Sequence, residues 1–285
     1  MAKIPHFVRF VVKKSGMISI FRMLNNNIVL NNFMILFGVD AAIKFSASKQ
    51  WKVFKFDTNK TAQLNAGFSH TPIEEESITK VKMQLISFME KYVPKQSFIL
   101  DFGCGPGLYM QLLKNDFNVE GIDISEDMLN IAARELPKNK FYHGNFLSAK
   151  FEKKFQAIYT IGVLQYVAVS QIDFFFRTCS ELLNNNGILF IQYPEAITER
   201  DLYYPDRHYI RYSPLLIDRL AKKYFNVIYH KQCFDERELC KYDRTPYSMN
   251  PKVFRDGYTL VAERKISQSY NKNPILSFDC FWNYS

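Results

Sequence analysis

The sequence predicts a doubly wound α/β fold, in which helices alternate with the strands of a mainly parallel sheet, preceded by a helical N-terminal extension. Two observations carry this reading. The apolar run Phe98–Leu100 suits a strand buried on both faces, and it ends in Asp101 and a glycine turn, Gly103, Gly105 and Gly107, that must feed a helix. Strand-like and helix-like segments then alternate as far as Tyr193, the order that βαβ units require.

The 285 residues suffice for one full α/β domain, read here as 61–265, with a basic, mostly helical extension or lid at 1–60 and a tail at 266–285. Apolar residues make up 47% of the chain and charged ones 23%, an ordinary globular balance. Cys104, Cys179, Cys233, Cys240 and Cys280 are too scattered for a disulfide framework and lack zinc-like spacing, so no metal site is expected and a reducing cytoplasm fits. Residues 1–60 hold ten Lys/Arg against Asp40 and Asp57, +8 of the total +9. A nucleic-acid protein would more often set that charge around its cleft, which argues against nucleic acid; contact of 1–60 with a membrane surface stays open. The N-terminus lacks a signal-peptide pattern, and its longest apolar run, Phe33–Val39, is far short of a membrane span.

Taken in order, Thr71 with Pro72 and Glu74 forms a capping box. The helix it opens carries Ile78, Val81, Leu85, Phe88 and Met89 on one face and stops at Pro94. After the first strand, a helix over Leu108–Lys114 presents an N-terminus suited to a carboxylate or phosphate, so a nucleotide-like ligand is the natural occupant. Phe117–Ile124 is the second strand, and its Asp123, sixteen residues past Gly107, can accept from both ribose hydroxyls of a nucleoside. Ser125 caps a helix over Glu126–Leu136. Strands follow at Lys140–His143 and Phe155–Thr160, then a helix over Asp173–Leu183 and a turn at Asn186-Gly187 into the fifth strand. Ser213 caps a helix over Pro214–Tyr224, and strands at Phe225–Lys231 and Tyr258–Arg264 flank an insertion.

The run Asp101-Phe102-Gly103-Cys104-Gly105-Pro106-Gly107 brings its third glycine one residue too early for the dinucleotide fingerprint. It resembles motif I of the class I S-adenosylmethionine (SAM) methyltransferases, Asp/Glu-x-Gly-x-Gly-x-Gly. The resemblance extends over about Ser77–Tyr193. It implies a seven-stranded sheet with the last strand inserted antiparallel, and SAM as cofactor, held by Asp101, Gly103, Cys104, Gly105, Asp123, Ile124, Met128, Asn145, Phe146 and Ile161. Met128 stands where the family often packs an apolar side chain on adenine, and Asn145 where it usually has an aspartate accepting from the adenine amine. Carbonyls around Ile161 would hold the methionine amino group. Tyr166 replaces a histidine frequent in the family, and Phe68 and His70 are lid candidates by the same analogy.

The segment after the fifth strand is individual. His208 is the candidate general base, Arg207 and Arg211 a candidate clamp for an anionic acceptor, and Tyr166, Tyr193 and Tyr204 candidate walls around the methyl group. The stretch Thr160–Val163 has neither the Asp/Asn/Ser-Pro-Pro-aromatic motif of base amine methylases nor the Pro-Cys of cytosine-C5 enzymes. That leaves as expected acceptor a small hydroxylated, carboxylated or aminated metabolite, with lipid or quinone precursors also open given the basic, apolar N-terminus. An RNA or protein methylase, and a SAM-binding scaffold without turnover, are the alternatives; oligomeric state is not legible.

Overall fold

The computed structural model describes residues 72–194, 203–204, 209–232 and 257–265, with backbone alone at 72–78, 203–204, 209–210, 232 and 257–258. The expectations for 1–60, Phe68, His70, the Thr71 cap, Arg207, His208, the insertion between Lys231 and Tyr258 and the tail lie outside the described residues.

Strands β1 (Phe98–Phe102), β2 (Asn118–Asp123), β3 (Lys140–His143), β4 (Phe155–Ile161) and β5 (Leu183–Pro194) run parallel in the order β3-β2-β1-β4-β5. A short ribbon, β6 (Tyr203–Tyr204) and β7 (Tyr209–Ile210), stands apart from the sheet. Strands β8 (Phe225–Gln232) and β9 (Gly257–Arg264) complete it, with β9 antiparallel between β5 and β8. The doubly wound, seven-stranded expectation holds.

Because side chains alternate along a strand, each strand feeds two cores. Leu100, Ile122, Ile158, Leu189 and Ile191 face a layer closed by α4 (Ile172–Leu182) and α5 (Pro214–Tyr224). Ile99, Val119, Ala157, Tyr159 and Phe190 face the opposite layer, closed by α1 (Pro72–Tyr92), α2 (Met110–Leu113) and α3 (Glu126–Glu135). On α1, Val81, Leu85 and Met89 recur every fourth residue and are almost fully covered, which fixes this helix against the sheet. Among the described residues, no helix is long and apolar enough to cross a membrane.

Three local expectations need correction. The helix expected at Leu108–Lys114 is α only over Met110–Leu113, because the turn continues through Gly107 at φ 81 and Tyr109 caps the helix without a side-chain bond. Strand β5 begins at Leu183, before the Asn186-Gly187 turn; the residues between Leu183 and Ile188 bulge out of the pairing with β4, with Asn186 at φ 59. Ser213 occupies the N-cap position of α5, but its side chain makes no cap bond and only its carbonyl accepts, from Ile217 N–H at 3.1 Å.

Candidate functional site

The parallel register of β1 to β4 brings Asp101, the glycine turn, Asp123, Asn145 and Ile161 to one edge of the sheet, at the carboxyl ends of the strands. Ligands of open α/β sheets bind at this edge. A Cβ built at Gly105 or Gly144 would meet nothing within 4 Å, so the floor beside β1 and β3 is open. At Gly103, held at φ 75, a Cβ would run into Val163, so that glycine lets the turn close against the loop after β4.

The turn directs its donors inward. Gly103 and Cys104 N–H both donate to Ile122 O, at 2.8 and 3.1 Å, Gly105 N–H to Asp123 Oδ2 at 2.8 Å, and Gly107 N–H to Cys104 O at 3.0 Å. Residue 106 is a proline and has no N–H. With α2 only four residues long, the anion site expected at its N-terminus is not formed. This edge therefore offers a diphosphate few main-chain donors.

It offers carboxyl groups instead. Asp101 is 2% exposed, and its Oδ2 has no hydrogen-bond partner. Burial pushes its carboxyl well above the ordinary value; the neighbouring Tyr159 hydroxyl pulls it down and the charge of Asp123 pushes it up again. Tyr109 lies close enough to feel the Asp101 charge, and its hydroxyl is buried without a partner. Asp123 closes β2, with Oδ1 accepting from Ser125 N–H at 2.9 Å. Burial raises its carboxyl too, against the opposing pull of the N–H groups of Ser125, Gly105 and Ile124. Each carboxylate oxygen keeps a second lone pair for a ligand hydroxyl.

The remaining candidates divide. Asn145 is exposed, and its Oδ1 accepts from Leu147 N–H at 2.9 Å, capping a 3-10 turn over Phe146–Ser148. Ile161 ends β4 half-buried, and Gly162 O beyond it accepts from the Gln165 amide. Ile124 is half-buried, and its carbonyl lies 3.2 Å from His143 Nε2. Tyr166 ends a 3-10 turn after β4 and is half-buried. Tyr204 is described by backbone alone, in β6.

Several of the candidate side chains are buried. Phe146 is buried and stacks on Phe102 at 4.3 Å, so it builds the core and leaves only its main chain to the edge. Cys104 and Met128 are likewise buried, the Cys104 sulfur packing where a Cβ of Gly121 would be. Tyr193 is 1% exposed and its hydroxyl lies 2.8 Å from His230 Nε2, across β9 and away from β4, so it does not wall the methyl position. Arg211, the candidate for the anionic acceptor, is buried, at 4% exposure. The sequence reading missed His143, Tyr159, Tyr109 and Gln192. A polar residue within an otherwise apolar strand was the available signal for Tyr159 and Gln192.

Residues 99–187 match a family model described as a methyltransferase domain. A ubiquinone biosynthesis O-methyltransferase of Pelagibacter ubique is 35% identical over 98 residues, covering 33% of this chain and 40% of that one. A trans-aconitate 2-methyltransferase of Rhodopseudomonas palustris is 28% identical over 159 residues, covering 52% of this chain and 60% of that one. The chain thus spans less than two thirds of either relative. Among solved structures, the N-methyltransferase NodS of Bradyrhizobium japonicum in complex with S-adenosyl-L-homocysteine (SAH) superposes with a TM-score of 0.59 at 13% identity, covering 78% of this chain and all of that one. Streptomyces venezuelae DesVI gives 0.54 at 14% identity, covering 74% of this chain and all of that one. These likenesses show the fold.

Proposed function

We propose, for a chain that is a class I SAM-dependent methyltransferase in its fold and in its central sequence, that it transfers a methyl group to a hydroxyl, carboxyl or amine of a small molecule. One observation carries the choice of cofactor: the glycine turn turns its N–H groups inward while a buried carboxyl, Asp101, lies beneath it without a partner for Oδ2. A dinucleotide brings a diphosphate and needs outward donors. SAM has no phosphate and carries an ammonium group on its amino-acid end, beside a sulfonium, so the residues present fit it.

When bound, SAM supplies a methyl group on a sulfonium, open to in-line displacement by a nucleophile. Asp123 would accept from the ribose hydroxyls, Asn145 would stand at adenine, and Asp101 with the main chain at Ile161 would meet the ammonium group of the amino-acid end. The chain's contribution is then largely to hold the acceptor in line, which is worth up to about 7–11 kcal/mol in favourable cases. For a hydroxyl acceptor, His208 is the proposed base.

The acceptor class draws on the relatives' names, which specify ubiquinone biosynthesis and trans-aconitate. Calorimetric titration with SAH and with NAD tests the cofactor. Saturable SAH binding without NAD binding is expected, and the reverse result overturns the reading. Incubation with methyl-labelled SAM and fractionated cell extract tests the acceptor, and the label is expected among small molecules.

A further inference from the structure

Gln192 stands third from the end of β5, is 0% exposed, and has no hydrogen-bond partner at either Nε2 or Oε1. A buried amide left in this state is destabilising, and native chains keep few such groups. Its main chain is already engaged, since its carbonyl accepts from Gly162 N–H at 3.1 Å. Ile191 and Tyr193 belong to the layer under α4 and α5, so by alternation Gln192 stands on the α1 face. Its partners in register are Ile161 on β4 and Thr259 on β9. Thr259 Oγ1 donates to Gln84 Oε1 of α1 at 2.8 Å.

The order of strands places this amide relative to the proposed cofactor. Asn145 follows β3, Asp123 ends β2, the glycine turn follows β1 and Ile161 ends β4. These residues would take adenine, ribose and the methionine end in that sequence along the sheet. The next strand is β5; the methyl sits on the sulfonium between ribose and the amino-acid end, and with the ends of β1–β3 given to the nucleoside the acceptor has to approach it from the side of β4 and β5. Gln192 is the polar side chain waiting there.

We propose that Gln192 recognises the methyl acceptor, through a hydroxyl or carboxyl group close to the atom that is methylated. The inference rests on the SAM reading above. A primary amide presents both donors and an acceptor and carries no charge, so it pairs with a polar group and discriminates against a hydrocarbon of the same shape. The stability forgone by an unpaired amide is recovered when the acceptor binds. Because the amide is covered, the acceptor reaches it by displacing the side chains above it.

The test uses the full chain with Gln192→Met, of the same length, and Gln192→Leu as a second variant in case one packs poorly. Three quantities are read: Tm, SAH affinity by calorimetry, and methyl transfer from labelled SAM into small-molecule extract. A waiting amide predicts Tm unchanged or raised, SAH affinity within about twofold, and transfer down at least about tenfold. A lowered Tm with transfer intact in both variants means the amide is bonded within the fold and overturns the inference. SAH affinity down about tenfold or more assigns Gln192 to the cofactor and overturns it as well. Failure of the wild-type chain to bind SAH would remove the cofactor reading itself. SAH binding by the wild-type chain without label in small molecules would remove the acceptor class and this inference with it.

Discussion

Gly105 donates its N–H to Asp123 Oδ2 at 2.8 Å, joining the turn after β1 to the end of β2 across eighteen residues of chain. The acid proposed for the ribose thus also holds the turn against the sheet, and the two functions can be separated by substitution.

Asp123→Ala removes both the ribose acceptor and the tie to Gly105, and should weaken SAH binding by at least about tenfold, or 1.4 kcal/mol. Asp123→Asn keeps one carbonyl acceptor and should fall between the two. Calorimetric dissociation constants check this, and equal affinity in all three chains would remove Asp123 from the site.

Asp101 predicts a pH dependence. Its carboxyl is raised in the folded chain, chiefly by burial, so the folded state binds more protons than the unfolded one in the window above the ordinary carboxylate value of 3.8. The stability tied to the protonated form is complete below that value and is lost as pH rises through the folded pKa. Asp101→Asn should therefore gain on the wild type as pH rises from 4 to about 7, in denaturant titrations at several pH values. The ammonium group of SAH docking beside Asp101 should release up to about one proton, read as a buffer-dependent SAH binding enthalpy. No proton release would place the cation elsewhere.

Gly103→Ala places a side chain at φ 75 and against Val163. The conformation alone costs about 1–2 kcal/mol, so thermal melting should show a lower Tm, and SAH affinity should fall with it. Adding Val163→Ala relieves the contact but not the dihedral, so the double variant should recover part of the loss in a double-mutant cycle.

Tyr193 and His208 should behave oppositely. Tyr193→Phe deletes the hydroxyl beside His230 and should cost about 1 kcal/mol of stability while sparing methyl transfer. His208→Ala should slow transfer to a hydroxyl acceptor by about 100-fold and leave SAH affinity unchanged. Single-turnover rates with labelled SAM distinguish the two.

Much of the architecture could be read from periodicity and punctuation. The apolar run before Asp101 gave β1, and Lys140–His143 and Pro214–Tyr224 coincide with β3 and α5. Helix α2 came out short because a turn with three positive-φ glycines uses up residues that composition alone would assign to a helix. Positions defined by main chain and strand ends, as at Asp101, Asp123 and Ile161, were legible as lying on the carboxyl edge of the sheet. Side-chain direction was less legible. Phe146 lies at the edge in sequence but turns into a core, Met128 is buried, and Tyr193 reaches toward β8. Whether a buried polar group such as Gln192 has a partner depends on neighbours from distant strands, which no local pattern encodes.

The insertion of β9 beside β5 sets the order in which the sheet can be completed. Ile188 pairs with Glu263, so the outer edge of β5 waits until some 75 further residues have been made. Until then a long apolar strand exposes unpaired main-chain groups, and β8 has no bonded neighbour in the sheet. Closing such a distant pairing is slow, and the open edge is a place where nascent chains can pair with one another. Shortening the chain before Gly257 should therefore yield a protein that aggregates, with the glycine turn and both acids still in its sequence.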